Sequence, residues 1–173
     1  PTIVKGFYVD PSLYLPDIQR PFVWEEDDIY LLFDSICRDY PINTVLFWLL
    51  EKKTLEKERY IKRIKFIDQR YQENLPETGP LSRDNYYLAI DGQQRITSFY
   101  LALKGAFKIK QKRSFLLADL YFNFLSGIEE NDKEMLYEFQ FFPQNHPDVW
   151  IETIEDKKKV KPTYSKKWIR VKY

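Results

Sequence analysis

An α+β fold built around a mixed sheet is the architecture this sequence predicts. Two stretches with helical apolar spacing interrupt a series of short segments rich in aromatic and β-branched residues. Their order is irregular and does not follow the strand–helix alternation of a long parallel series. With 173 residues, 44% hydrophobic and 17% aromatic, the chain can bury the core of one domain, read here as residues 1–173.

The first helix is expected after Trp24, because Glu25, Glu26, Asp27 and Asp28 place four negative charges in its first turn, where the macrodipole favours them. Ile29, Leu32, Phe33, Ile36, Cys37 and Tyr40 recur at helical spacing as one buried face, and Pro41 is the stop. Val45 to Leu50 is a short continuous apolar run and reads as a strand covered on both faces. Glu51 to Arg70 mixes eight basic with four acidic residues, consistent with a surface hairpin or a strand between charged loops. Gln72 to Asp84, with Pro76, Gly79 and Pro80, reads as a loop.

Tyr86 to Ile90 is a bulky apolar strand that Asp91-Gly92 breaks. Ile96, Phe99, Tyr100 and Leu103 then mark a second helix, with Gly105 where a capping glycine belongs. Phe107 to Lys110, Phe115 to Phe124, Phe139 to Phe141 and Trp168 to Val171 supply the remaining strand candidates.

Composition narrows the functional classes. No apolar run is long enough to cross a bilayer and Pro1 opens no signal segment, so the expectation is a cytoplasmic protein without membrane contact. The single Cys37 cannot form an internal disulfide, and as part of an apolar helix face it is expected to be buried. The single His146, in a turn-rich loop, leaves no second histidine for a His-based metal centre. Net charge is +1, but Lys104 to Arg113 holds five basic residues and Lys157 to Lys172 eight, with no acid in either run. Such runs suit a solvated face, or contact with a phosphate backbone.

The chemistry concentrates where strand meets helix, at Asp91-Gly92-Gln93-Gln94-Arg95. A turn this short aims the free N–H groups of the helix at one point, and with the dipole they form an anion site. Gly92 lets a phosphate approach the backbone closely. Arg95 is a cation in a first turn, disfavoured by about 0.3–1 kcal/mol unless an anion neutralises the dipole. A bound nucleoside triphosphate would convert that cost into charge-assisted hydrogen bonds. Gln93 and Gln94 suit phosphate oxygens or an attacking water, and Asp91 a divalent cation such as Mg2+ or a proton. The same residues also suit a plain N-cap, a turn and an Arg paired with a nearby acid.

A second constellation, Ile18-Gln19-Arg20-Pro21-Phe22-Val23-Trp24, precedes the first helix. Phe22 and Trp24 offer flat faces for a base or for the core. Gln19 and Arg20 are polar groups in an apolar segment, and Arg20 with Arg95 would make a two-sided phosphate clamp.

At these residues the chain resembles the ParB-like N-terminal domain, with its DGQQR motif, of GmrSD-type modification-dependent restriction endonucleases. Further matching elements are Leu31 to Ile36, Tyr40-Pro41-Ile42, Phe47-Trp48 and Leu88 to Ser98. The resemblance covers about Pro16 to Leu103, and the two motifs in order make it specific. It implies a ParB/sulfiredoxin-like fold that binds nucleotide phosphates and whose hydrolysis of nucleotide licenses cleavage of modified DNA in antiphage defence. Asp91, Gly92, Gln93, Gln94 and Arg95 carry over as the nucleotide motif, with Gln19 and Arg20 as partners across the site. One departure is Asn43-Thr44, where Gly followed by a small hydroxyl residue is usual. The His-containing nuclease domain of such proteins has no counterpart here, so the chain reads as an N-terminal fragment or separate subunit. Its expected partners are DNA, a nuclease domain or subunit, and a further copy of itself. The competing reading is a module that senses modified DNA without hydrolysing nucleotide.

Overall fold

A computed structural model describes residues 12–18, 20–58, 60–67, 69, 72–110, 114–128, 134–154 and 164–172. Three helices and nine strands form among them, and the strands build two sheets, one of them mixed, so the class is the α+β expected. The chain divides into two compact units, Pro1–Trp24 with Asn43–Gly105 and Glu25–Ile42 with Ala106–Tyr173.

In the first unit, β1 (Leu13–Pro16), β2 (Leu46–Glu51), β3 (Arg63–Ile64) and β4 (Asn85–Asp91) form a sheet ordered β2-β4-β1-β3. β4 runs parallel to β1 and antiparallel to β2. Side-chain alternation sends Tyr86 and Leu88 into a cluster with Tyr14, Leu50 and Leu55, and sends Ala89 into another with Leu15 and Ile96. β4 is therefore core on both faces. Each fully buried aliphatic side chain such as Leu88 contributes about 1.5–3 kcal/mol.

The run Val45 to Leu50 forms the strand expected but not the burial. As β2 it is a sheet edge with only β4 beside it among the described residues, and Leu46, Trp48 and Leu49 are exposed. Continuous apolarity fits a doubly covered strand, yet cover depends on what tertiary structure places over the strand. The charged stretch after it forms a short helix, α2 (Lys52–Lys57), anchored by buried Leu55, before the two-residue β3. Residues 72–84 are the expected loop, tied down by a bridge between Pro76 and Ile64.

α3 (Gln93–Leu103) follows β4 and buries Gln94, Ile96, Thr97, Ser98, Leu101 and Ala102. At its end the N–H groups of Lys104 and Gly105 both donate to the Tyr100 carbonyl at 2.9 Å. Gly105 thus takes the capping position, but with a negative φ, since Gly92 and Gly127 are the described glycines with positive φ.

The second unit holds α1 (Glu26–Cys37) and an antiparallel sheet of β5 (Phe107–Lys110), β6 (Phe115–Asn123), β7 (Phe139–Pro143), β8 (Val149–Ile154) and β9 (Tyr164–Arg170). α1 starts with a capping box in which the Glu25 N–H donates to the Asp28 carboxylate at 2.9 Å. Its buried face is Ile29, Leu32, Phe33 and Asp34, and Phe33 meets Phe139 with ring centroids 5.5 Å apart. The Phe141 N–H donates to the Tyr30 hydroxyl at 2.9 Å, and burial pushes that phenol's pKa up.

The last turn of α1 departs from the sequence reading. The helix stops at Cys37, four residues before Pro41, as Asp39 turns the chain with φ +56°. Cys37 is exposed rather than buried, as are Ile36 and Tyr40. Asp34 occupies the buried position instead, accepting the Tyr137 N–H at 2.7 Å and pairing with Arg38 at 3.5 Å. A charged anchor inside an apolar stripe breaks the extrapolation from spacing alone. β1 and β8 have no counterpart among the strands that the sequence predicts.

Candidate functional site

β4 ends at Asp91 and α3 begins at Gln93, so Gly92 alone makes the turn. Its φ of +83° and ψ of 10° lie in the left-handed region that glycine adopts without penalty. A Cβ there would lie 3.0 Å from Val45 Cγ2 and 3.2 Å from an Arg95 guanidinium nitrogen. The chain's own packing therefore requires this glycine, whatever approaches from solvent. Val45 is a part of the site that sequence reading missed.

The first intrahelical bond of α3 runs from the Ile96 N–H to the Gly92 carbonyl at 3.0 Å. No side chain among the described residues caps the helix. The N–H groups of Gln93 and Gln94, at the positive end of the dipole, meet no acceptor among the described residues. Arg95 adds to it, folding its guanidinium back toward the Gly92 turn, where it lies 3.8 Å from the Asp91 carboxylate. The pair is unequal: the Arg95 side chain is 13% exposed and that of Asp91 65%.

The two glutamines differ. The side chain of Gln93 has no hydrogen-bond partner among the described residues, whereas Gln94 is 7% exposed and both ends of its amide are engaged. Its oxygen accepts the Val23 N–H at 3.0 Å and its nitrogen donates to the Pro21 carbonyl at 3.1 Å. The second motif is thus bonded to the first across more than 70 residues of chain. Arg20 is exposed and lines a cavity of about 420 Å³ with Leu15, Pro16, Asp17, Pro21 and Ile64 among its walls. Gln19 lies outside the described residues.

Asn43, at the position where glycine is usual in the resembled family, adopts φ +69°, and its side-chain oxygen accepts the Thr44 N–H at 2.6 Å. Asn is the residue other than glycine that best tolerates this conformation, so the turn survives the exchange.

The basic runs offer less than their composition suggests. Among the described residues of the second run, Lys166 pairs with Glu138, Arg170 with Asp119 and Asp148, and Lys172 with Asp119. Residues 155–163 of that region and 111–113 of the first run lie outside the described residues. No group of three or more His, Cys, Asp or Glu gathers as metal ligands among the described residues. No described helix is long and apolar enough to cross a membrane.

A family model, the GmrSD restriction endonuclease N-terminal domain, matches residues 4–173. The chain belongs to this family. The match extends the resemblance beyond the two motifs and across both structural units. A comparison with curated proteins finds no match. As a GmrSD N-terminal domain, the chain is part of a restriction endonuclease system, a class of enzyme whose substrate is DNA.

Proposed function

We propose that this GmrSD N-terminal domain binds a nucleoside triphosphate with Mg2+ at the Asp91 to Arg95 turn and hydrolyses it. Its nucleotide state then controls a nuclease domain or subunit that cleaves chemically modified DNA in the cytoplasm. The observation that carries the reading is the start of α3, which no side chain among the described residues caps and over which Arg95 is folded back. Open N–H groups, a helix dipole and a guanidinium converge there on the place an anionic phosphate would take.

Within this reading Arg95 binds phosphate oxygens from the side of the turn, and Arg20 does so from the neighbouring segment. Gln93, with its amide uncommitted among the described residues, orients a phosphate oxygen or the attacking water. Gly92 holds the backbone in the conformation that exposes the N–H groups. Gln19 joins the site only by family resemblance.

Asp91 is the metal candidate. Mg2+ bound to a nucleotide takes phosphate oxygens and waters and asks the protein for only one or two carboxylates, so a single exposed Asp fits it. The ion would neutralise charge on the transferring phosphate. The alternative role for Asp91, in place of metal ligation, is to accept a proton from the attacking water.

The test is calorimetric titration of the four common nucleoside triphosphates with Mg2+ into the wild-type chain and Arg95→Ala. Saturable binding to the wild type that the variant lacks supports the site. Absence of binding by every triphosphate removes the proposal and leaves a module that contacts DNA alone.

A further inference from the structure

We infer that Gln94 is a positioning residue that joins the Arg20 to Trp24 segment to the start of α3, so that two separate sequence motifs act as one site. The inference rests on the proposed function, and it gives Gln94 a place that does not touch the nucleotide.

The segment from Arg20 to Glu25 has no strand or helix of its own, so its backbone groups need other partners. In extended chain, the carbonyl of one residue and the N–H of the residue two further on point to the same side. A neighbouring strand in parallel pairing takes such a pair with one residue. The Gln94 carboxamide takes the same pair here, accepting from the Val23 N–H at 3.0 Å and donating to the Pro21 carbonyl at 3.1 Å. Gln94 thus stands in for a strand that the sheet does not supply.

Only a carboxamide of this reach does so. Glu lacks the donor, Asn is one methylene short, and Lys has no acceptor. Burial makes the match count, because at 7% exposure little water reaches the amide to replace a lost partner. The helix holds Gln94 rigidly in turn, since the Ser98 hydroxyl donates to the Gln94 carbonyl at 2.8 Å.

The segment passes this order to Arg20. Pro21 fixes its own φ and restricts the residue before it to extended conformations, so the backbone of Arg20 is set once Pro21 is held. By holding Pro21, Gln94 therefore limits the positions open to Arg20. Pro21 and Arg20 also line the cavity of about 420 Å³.

The experiment is a double-mutant cycle on the full chain with Arg20→Ala and Gln94→Met, a substitution that keeps length and volume but removes both hydrogen bonds. Dissociation constants for the triphosphate that the wild type binds best are measured by calorimetry with Mg2+. Each single variant is expected to lose roughly tenfold in affinity and the double variant no more than either, because Gln94 acts through Arg20. Exchange of the Val23 amide hydrogen should rise in Gln94→Met while that of the Leu88 amide does not. A double variant that loses the product of the two factors overturns the inference and leaves the nucleotide site standing. So does a Gln94→Met variant that binds like the wild type. If the wild type binds no triphosphate, the nucleotide reading fails and the positioning role falls with it.

Discussion

The guanidinium of Arg95 lies 3.8 Å from the carboxylate of Asp91, with Arg95 largely enclosed and Asp91 largely in solvent. An ion pair with one partner this exposed contributes only about 0–1 kcal/mol to stability. Asp91→Asn should accordingly leave the denaturation midpoint nearly unchanged. Under the proposed function it should strengthen triphosphate binding in the absence of Mg2+, by removing a repelling charge, and abolish the gain that Mg2+ gives. Titration of wild type and variant with and without the metal reads both effects, and an unaltered Mg2+ dependence would free Asp91 of its metal role.

Gly92→Ala meets two obstacles, a left-handed φ and the Val45 methyl 3.0 Å from the new Cβ. Together they should cost about 2–3 kcal/mol in urea denaturation. Adding Val45→Ala removes the steric part and leaves the conformational part, so the double variant should recover part of the loss relative to Val45→Ala alone. No recovery would show that φ alone sets the requirement for glycine.

Asp34 is a buried carboxylate that holds the Tyr137 N–H and Arg38. Asp34→Ala strands the Tyr137 N–H, while Arg38 keeps the Glu134 carbonyl and the Tyr40 hydroxyl, and should destabilise the chain by about 1–3 kcal/mol. Thermal melts of the variant are the check, and a shift of less than a degree would mean that Asp34 does not contribute to holding α1.

Cys37 is exposed, while partial desolvation and then Asp34 push its thiol pKa up. The native chain should therefore react with a thiol reagent to completion without denaturant, but more slowly than a free cysteine at neutral pH. Cys37→Ser should keep stability within about 0.5 kcal/mol.

Glu77 is held ionised by Lys65 at 2.9 Å and by the Gly79 N–H, which lowers its pKa in the folded chain. A lowered folded pKa means stability that is present above the ordinary glutamate value and is lost as pH falls through the folded value. The melting temperature of the wild type should drop over this acidic window more than that of Glu77→Gln, and parallel curves would remove Glu77 as a contributor.

What the sequence made legible follows from how local the governing physics is. The acidic first turn of α1 and the Asp91-Gly92 break are decided within a few residues, and both stand where expected. Burial is decided elsewhere in the chain. Val45 to Leu50 shows its apolarity but not that β2 has a single neighbour among the described strands, and the spacing of Cys37 cannot show that Asp34 takes the buried position. The bond from Gln94 to the Pro21 and Val23 backbone was beyond reach for the same reason. Residue types mark both segments as unusual, but only the folded chain shows that an amide joins them.

The division of the chain into two units has a consequence for synthesis. Residues 25–42 belong to the second unit yet are made before most of the first, whose stretches 1–24 and 43–105 lie on either side of them. No single cut liberates either unit whole. α1 leaves the ribosome with its apolar face bare and must wait until residues 139–143 are made before β7 can receive it. Until then an amphipathic helix is open to chaperones and to aggregation, so the rate of translation between Ile42 and Pro143 bears on the yield of folded protein.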